Sequence, residues 1–358
     1  MGSADNVLLT KLLATMAERR ATDLHLVVGN YPFLRISGQL INLTDQAIVT
    51  PEYIESAVDF FGSGLIGDGL KDKTDSRFIY TAATKARFRI HLFKQKGNWS
   101  VSVKLLPSRI ANLKELALPK IIQTIVTAQR GIVFVVGPFG SGRSTTLSAI
   151  LQEINDTRSE HILLLEQPLE HLFVNNKSII EQREVGKDVA SFAEGLEVAK
   201  EEDVNIVALG QVPDAKSLEL VLELAESGRL VIAALDYDSA ATTLNGILSD
   251  FSEEKIIWAK EVLSGLLVAI LAQRLVPALN NGVVLACEVL TNSQAFRVLI
   301  KENRLQQLEN ILQTSRAEGM QSLDQSLLQL VQEGKISQPE ARKQALNPQN
   351  FQQALRNV

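Results

Sequence analysis

The 358-residue sequence predicts an α/β protein of two domains, a smaller α+β domain over residues 1–107 and a nucleotide-binding α/β domain over residues 108–358. Three observations predict it. Up to Pro107, short segments alternate apolar and polar residues with period two, the pattern of antiparallel strands with one face in a core. Beyond it, unbroken apolar runs alternate with helical segments, as a parallel sheet covered on both faces requires. One of those runs feeds a glycine-rich loop of the kind that cradles phosphate.

In chain order, Leu8, Leu9, Leu12, Leu13 and Met16 recur at helical spacing, so residues 7–19 form a helix that stops near Ala21-Thr22-Asp23. Strands follow over 24–28, 33–36, 77–80, 87–93 and 99–105, separated by Gly, Pro and Asn turns. A helix over 52–61 covers the resulting sheet. In the second domain the apolar runs 132–136, 162–165, 206–209 and 230–235 are the strands. From Gln294 the chain is helical, over 294–301, 323–333 and 339–344, with a polar tail past Pro348 that is expected to fray.

A net charge of -5 gives no basic surface in bulk and argues against nucleic acid as a main partner. The one cysteine, Cys287, ends the apolar run Val283-Val284-Leu285-Ala286 and reads as a core thiol in a reducing compartment. The longest apolar stretch, 262–272, contains Ser264 and Gly265 and ends at Gln273-Arg274. That is short of the roughly 20 residues a membrane span needs. The N-terminus has no basic region followed by an apolar one, and Asn6 stands where a myristoylation pattern needs a hydroxyl. The reading is a cytosolic protein without a membrane span.

The run Val133-Phe134-Val135-Val136 leads into Gly137-Pro138-Phe139-Gly140-Ser141-Gly142-Arg143-Ser144-Thr145. Closely spaced glycines let the backbone curl so that successive N–H groups point at phosphate oxygens, at the positive end of the following helix. Gly137, Gly140 and Gly142 do this here, and with Ser141, Arg143, Ser144 and Thr145 they form the candidate cofactor-binding set. A lysine normally follows the last glycine and reaches the β/γ-phosphates, and the next hydroxyl, Ser144 here, ligates magnesium. Arg143 keeps the lysine's charge but replaces a compact ammonium with a wide planar fork.

Ala21-Thr22-Asp23-Leu24-His25-Leu26, Arg87-Phe88-Arg89, Gln182-Arg183-Glu184-Val185, Ala225-Glu226-Ser227-Gly228, Gln273-Arg274-Leu275 and the segments 295–302 and 319–324 are spread over nearly the whole chain. Together they resemble the type II/IV secretion ATPase superfamily and, within it, the PilT-like retraction motors of type IV pili, which drive twitching motility. The resemblance implies a PAS-like α+β domain followed by a RecA-like P-loop ATPase domain. It also implies a ring of six subunits with ATP or ADP and magnesium between neighbours. The implied place is the cytoplasmic face of the inner membrane, with an inner-membrane pilus platform protein as partner.

The departures from that family fall on its chemistry. Its aspartate box has two adjacent acids, and Leu165-Glu166-Gln167-Pro168 keeps the first. Its Walker B strand ends in a glutamate that polarises the attacking water, where this chain has Gln211. An amide cannot take a proton at neutral pH, and lost general-base catalysis costs about 3 to 5 kcal/mol of barrier. A glutamine can still orient water in phosphoryl transfer. The histidine box becomes Leu235-Asp236-Tyr237, with Gly228-Arg229 in place of the preceding Gly-His pair. Family arginines align with Glu197, Glu201 and Pro213. A carboxylate about 8 Å from a phosphate charge, at a dielectric near 20, adds about 2 kcal/mol of repulsion.

Glu166 and Gln211 are therefore the candidate, degenerate catalytic positions, and Ser144 and Glu166 the candidate magnesium ligands. Arg183 reads as a structural ion pair, His25 and His91 as sheet residues, and His161 and His171 as lacking metal-ligand spacing. Two function classes follow. One is a hydrolysis-deficient accessory or regulator of an active pilus ATPase, as a homo-hexamer or in a mixed ring, with nucleotide bound weakly or not at all. The other is an active but slow ATP-hydrolysing retraction motor. A third reading keeps ATP or ADP as a structural ligand at the ring interface.

Overall fold

The computed structural model describes residues 2–36, 38–62, 74–107, 109–280, 282–346 and 348–356. The chain divides into two compact units, Met1–Arg109 and Ile110–Val358.

The first unit comprises α1 (Gly2–Glu18), β1 (Asp23–Val27), β2 (Phe33–Ile36), β3 (Gln39–Asn42), α2 (Pro51–Gly62), β4 (Asp75–Thr81), β5 (Arg87–Gln95) and β6 (Asn98–Leu105). The strands form one antiparallel sheet in the order β3-β2-β1-β6-β5-β4. Period-two alternation puts Leu24, Leu26, Ile90, Leu92, Val101 and Val103 on one face, where they pack with α1 and α2. The expected α+β class is met. The sequence pattern misses β3 because all four of its residues are exposed, so no buried face imposes an alternation. His25 and His91 are strand residues: Ser102 Oγ lies 3.2 Å from His25 Nδ1, and His91 Nε2 lies 2.7 Å from Asp75 Oδ2.

The second unit begins with α3 (Ile122–Thr127), β7 (Gly131–Val136), α4 (Arg143–Thr157), β8 (His161–Glu166), β9 (Ile179–Glu184), α5 (Phe192–Glu201), β10 (Ile206–Leu209), α6 (Ala215–Glu226) and β11 (Leu230–Leu235). It continues through α7 (Ala240–Ser249), α8 (Ile256–Leu266), β12 (Leu267–Pro277), β13 (Val283–Thr291), α9 (Gln294–Lys301), α10 (Leu308–Thr314), α11 (Leu323–Gln332), α12 (Gln338–Gln344) and α13 (Pro348–Arg356). The sheet order is β13-β12-β7-β11-β10-β8-β9, parallel except for the β12–β13 hairpin. Every residue of β7, β10 and β11 is buried. Alternate strand residues feed two cores, Ile132, Phe134 and Val136 on one face and Val133 and Val135 on the other. The fold is RecA-like, with helices on both faces of a mainly parallel sheet.

One element boundary lies hidden inside an apolar run, and one expectation changes. The apolar stretch 262–272 is the end of α8 and the start of β12, which meet at Leu266 and Leu267; a run without polar punctuation gives no sign of that switch. The tail past Pro348 does not fray. It forms α13, and Phe351, 1% exposed, packs in a cluster with Val276, Leu323 and Leu327. Cys287 is buried in β13, and burial pushes its thiol pKa well above the ordinary range. Among the described residues no helix is long and apolar enough to cross a membrane.

Candidate functional site

The loop after β7 takes the form that its glycines permit. Gly137, Gly140 and Gly142 have φ of 155°, 81° and 91°, a region that side chains disfavour. A Cβ on Gly137 would run into the carbonyl oxygen of Gln273 and the hydroxyl of Ser141. Gly142 is the N-cap of the 15-residue helix α4 and has no side-chain cap bond. The first-turn N–H groups of such a helix are left for a ligand to satisfy. Ser144 and Thr145 lie half-buried on that turn, and Ser141 is buried beneath it. The arrangement fits a phosphate group, because positive-φ glycines lead the loop into the uncapped N-terminus of α4, whose first-turn N–H groups lack intrahelical partners.

Gln273, on β12 and 2% exposed, holds the loop from below: its Nε2 donates to the Ser141 carbonyl at 2.9 Å. The sequence marks Gln273 as a polar residue closing an apolar run and as part of the Gln273-Arg274-Leu275 motif, and no spacing rule ties it to a partner 132 positions away.

The strand order brings the remaining candidates to the same edge of the sheet. Leu235 pairs with Val136 in parallel register, so Asp236 and Gly137 are the first residues past neighbouring strands. There Arg143 Nη2 forms an ion pair with Asp236 Oδ1. The sequence treats these two substitutions separately; the structure makes them one contact. Gln211 follows β10, on the far side of β11 from the loop. It lines an open cleft of about 320 Å³ with Asp214, Leu218, Leu235, Asp236 and Tyr237. Asp214 is engaged as the N-cap of α6, accepting from Ser217 N at 2.7 Å.

Glu166 ends β8, three strand spacings or about 14 Å from β7. It is 4% exposed. Its Oε2 accepts from Glu170 N at 3.3 Å, and its Cγ lies 3.0 Å from where a Cβ on Gly210 would be. The retained acid is thus packed against the end of β10. Among the described residues no group of three or more His, Cys, Asp or Glu could hold a metal ion.

Other sequence candidates lie elsewhere in this unit. Arg229 precedes β11 at the amino edge of the sheet, about 20 Å along that strand from Asp236. Its guanidinium caps the carbonyls of Lys200 and Glu202 at 3.2 and 3.1 Å. Glu197 pairs with Lys200 at 3.0 Å and Lys216 at 3.1 Å, so its charge is offset by two cations; the hydrogen bond from Lys200 leads in lowering its pKa. Glu201 is exposed on the last turn of α5. Arg183 bonds Glu202 at 2.7 Å and Glu181 at 2.9 Å, the structural pair expected of it. His161 Nδ1 lies 2.7 Å from the Asp203 carbonyl, and His171 is buried.

A profile of the type II/IV secretion system proteins matches residues 74–356. The type IV pilus retraction ATPase PilT of Pseudomonas aeruginosa is 34% identical over 351 residues, 96% of this chain and 99% of that protein. The chain belongs to the type II/IV secretion system protein family. Within that family it is PilT-like. A crystal structure of the pilus retraction motor PilT with bound ADP superposes with a TM-score of 0.83 at 32% identity, covering 96% of this chain and 98% of that one. A second relative of this PilT-like chain is the type IV pilus ATPase PilU of Pseudomonas aeruginosa, 29% identical over 92% of this chain and 87% of that protein.

Proposed function

We propose that this PilT-like protein is a hydrolysis-deficient member of the pilus motor family. It acts as a ring-forming accessory or regulator of an active pilus ATPase, as a homo-hexamer or in a mixed ring, at the cytoplasmic face of the inner membrane against the pilus platform protein. The observation that carries the reading is Gln211: it lies two residues past the end of β10 and lines a cleft that also borders Asp236, the partner of Arg143, where a general base would have to be a carboxylate. Two of the carboxylates lining that cleft are engaged, Asp236 with Arg143 and Asp214 with Ser217 N; the third, Asp250, sits at the carboxyl end of α7.

The glycine cradle is intact, and the PilT relative of known structure carries ADP. ATP or ADP therefore fits as a ligand, weakly held, with its phosphates over Gly137, Gly140, Ser141, Gly142, Arg143, Ser144 and Thr145. When bound, magnesium would neutralise phosphate charge, with Ser144 and Glu166 as its protein ligands. Without a base at residue 211 such a nucleotide serves to stabilise the ring.

Steady-state phosphate release tests the proposal. Wild-type turnover is expected below about 1 per second, the low end of typical enzymes, and the double variant Arg143→Lys, Gln211→Glu is expected to exceed it. Faster wild-type turnover would establish a slow but active retraction motor instead. Co-purification of differently tagged copies, with and without an active pilus ATPase from the same cell, tests the ring. Recovery of neither a self-complex nor a mixed complex would sink the accessory role.

A further inference from the structure

We propose that Asp236 is the built-in counter-anion of the phosphate loop and sets how tightly this chain holds a phosphate-bearing ligand. The proposal deepens the weak-nucleotide reading above and rests on it. In a phosphate loop the cation after the last glycine and the helix N-terminus make one positive pole. Here the parallel register of β11 with β7 puts Asp236 beside Gly137, and its carboxylate pairs with the Arg143 guanidinium. The two side chains differ in accessibility, 17% for Arg143 against 75% for Asp236. The cation is largely covered and the acid that pairs with it is largely exposed.

The exposure of the acid decides what the pair does. Ion pairs with a largely exposed partner add little to folding stability, so the consequence of this one lies in what Arg143 is prevented from doing. A phosphate entering the cradle must displace the carboxylate or stand beside it as a like charge. Arg143 itself sharpens the competition, because a planar guanidinium matches a carboxylate as well as it matches a phosphate, whereas an ammonium has no such fork. The arginine in the loop and the aspartate in the neighbouring box form one device. Arg143 stays charged and ordered with no ligand, and affinity for anions is held down.

The test is calorimetric titration of the full chain with ADP, in EDTA and again in magnesium, for wild type, Asp236→Asn and Asp236→Ser. Two replacements are used so that one misfolded variant does not end the experiment. In EDTA both are expected to bind ADP about two- to fivefold more tightly than wild type, with thermal stability nearly unchanged. Equal or weaker binding by folded variants would overturn the proposal, as would no detectable binding by any of the three at millimolar ADP. Tighter wild-type than variant binding in magnesium would make Asp236 a metal ligand and overturn it too. Gln211 is untouched in these variants, so the affinity can rise while turnover stays absent. The inference and the functional reading therefore fail on separate measurements.

Discussion

Glu288 is a carboxylate 2% exposed on β13, with its Oε1 accepting from Ala240 N at 2.7 Å at the start of α7. Burial pushes its pKa up from 4.5 to about 7, opposed by backbone hydrogen bonds from Ala240 and from Leu323 at the start of α11. The folded chain therefore binds this proton more tightly than the unfolded chain. The stabilisation is complete below pH 4.5 and is lost as pH rises through about 7. A shift of that size corresponds to about 3 kcal/mol. Relative to Glu288→Gln, wild type is expected to lose about that much stability between pH 4.5 and pH 8; urea midpoints whose difference does not move with pH would refute it. Gln273 carries a second prediction at this scale. Gln273→Ala leaves the Ser141 carbonyl without its 2.9 Å donor, a loss of about 1 to 3 kcal/mol for a buried acceptor. Thermal melts are expected to fall accordingly, and ADP binding to weaken because the loop loses its footing. Neither residue's role is legible in the sequence, because each depends on a partner far along the chain.

At the scale of elements, the turn from β11 into α7 is fixed by a glycine inside the helix. A Cβ on Gly246 would meet the Cε1, Cζ and hydroxyl oxygen of Tyr237. Alanine favours a helix interior over glycine by about 1 kcal/mol, so on propensity alone Gly246→Ala should stabilise. Overpacking costs about 1 to 3 kcal/mol. To clear the methyl the ring, half-buried against the core, must swing out into the cleft and give up that packing. The collision therefore wins, and Gly246→Ala is expected to lower the melting temperature. Adding Tyr237→Ala is expected to relieve much of that drop, and a double variant melting no higher than Gly246→Ala would show that the ring is not what the new methyl meets. Elements were legible where burial imposes a pattern. β7, β10 and β11 are fully buried, and their apolar runs stand out. β9, with the sequence Ile-Ile-Glu-Gln-Arg-Glu and mostly half-buried, is a sheet edge that reads as polar loop. The loop glycines were legible because their backbone angles exclude other residues; the pairing of Arg143 with Asp236 was not, because it depends on the register between β7 and β11.

At the scale of the whole molecule, the hydrophobic clusters separate along the chain. Among the described residues, those from α1 to β6 make one core, and the remaining clusters draw on residues from Leu113 onward. A unit with a hydrophobic core of its own meets a condition for folding alone. Everything described for the candidate site, the loop, Gln273, Asp236, Gln211 and Glu166, lies in Ile110–Val358. The fragment 110–358 is therefore expected to melt cooperatively and to bind ADP as weakly as the full chain, with the same tightening on Asp236→Asn. The fragment 1–109 is expected to fold separately and to show dispersed amide resonances without binding ADP. The expectation for 110–358 includes its last helix: Phe351 fills the cluster formed with Val276, Leu323 and Leu327, and replacing a buried phenylalanine by alanine costs about 3 to 5 kcal/mol. Phe351→Ala should lower the melting temperature of full chain and fragment alike. A fragment that aggregates or melts without cooperativity, while the full chain does neither, would mean that the second core is not self-sufficient and that the phosphate loop depends on the first unit for its shape.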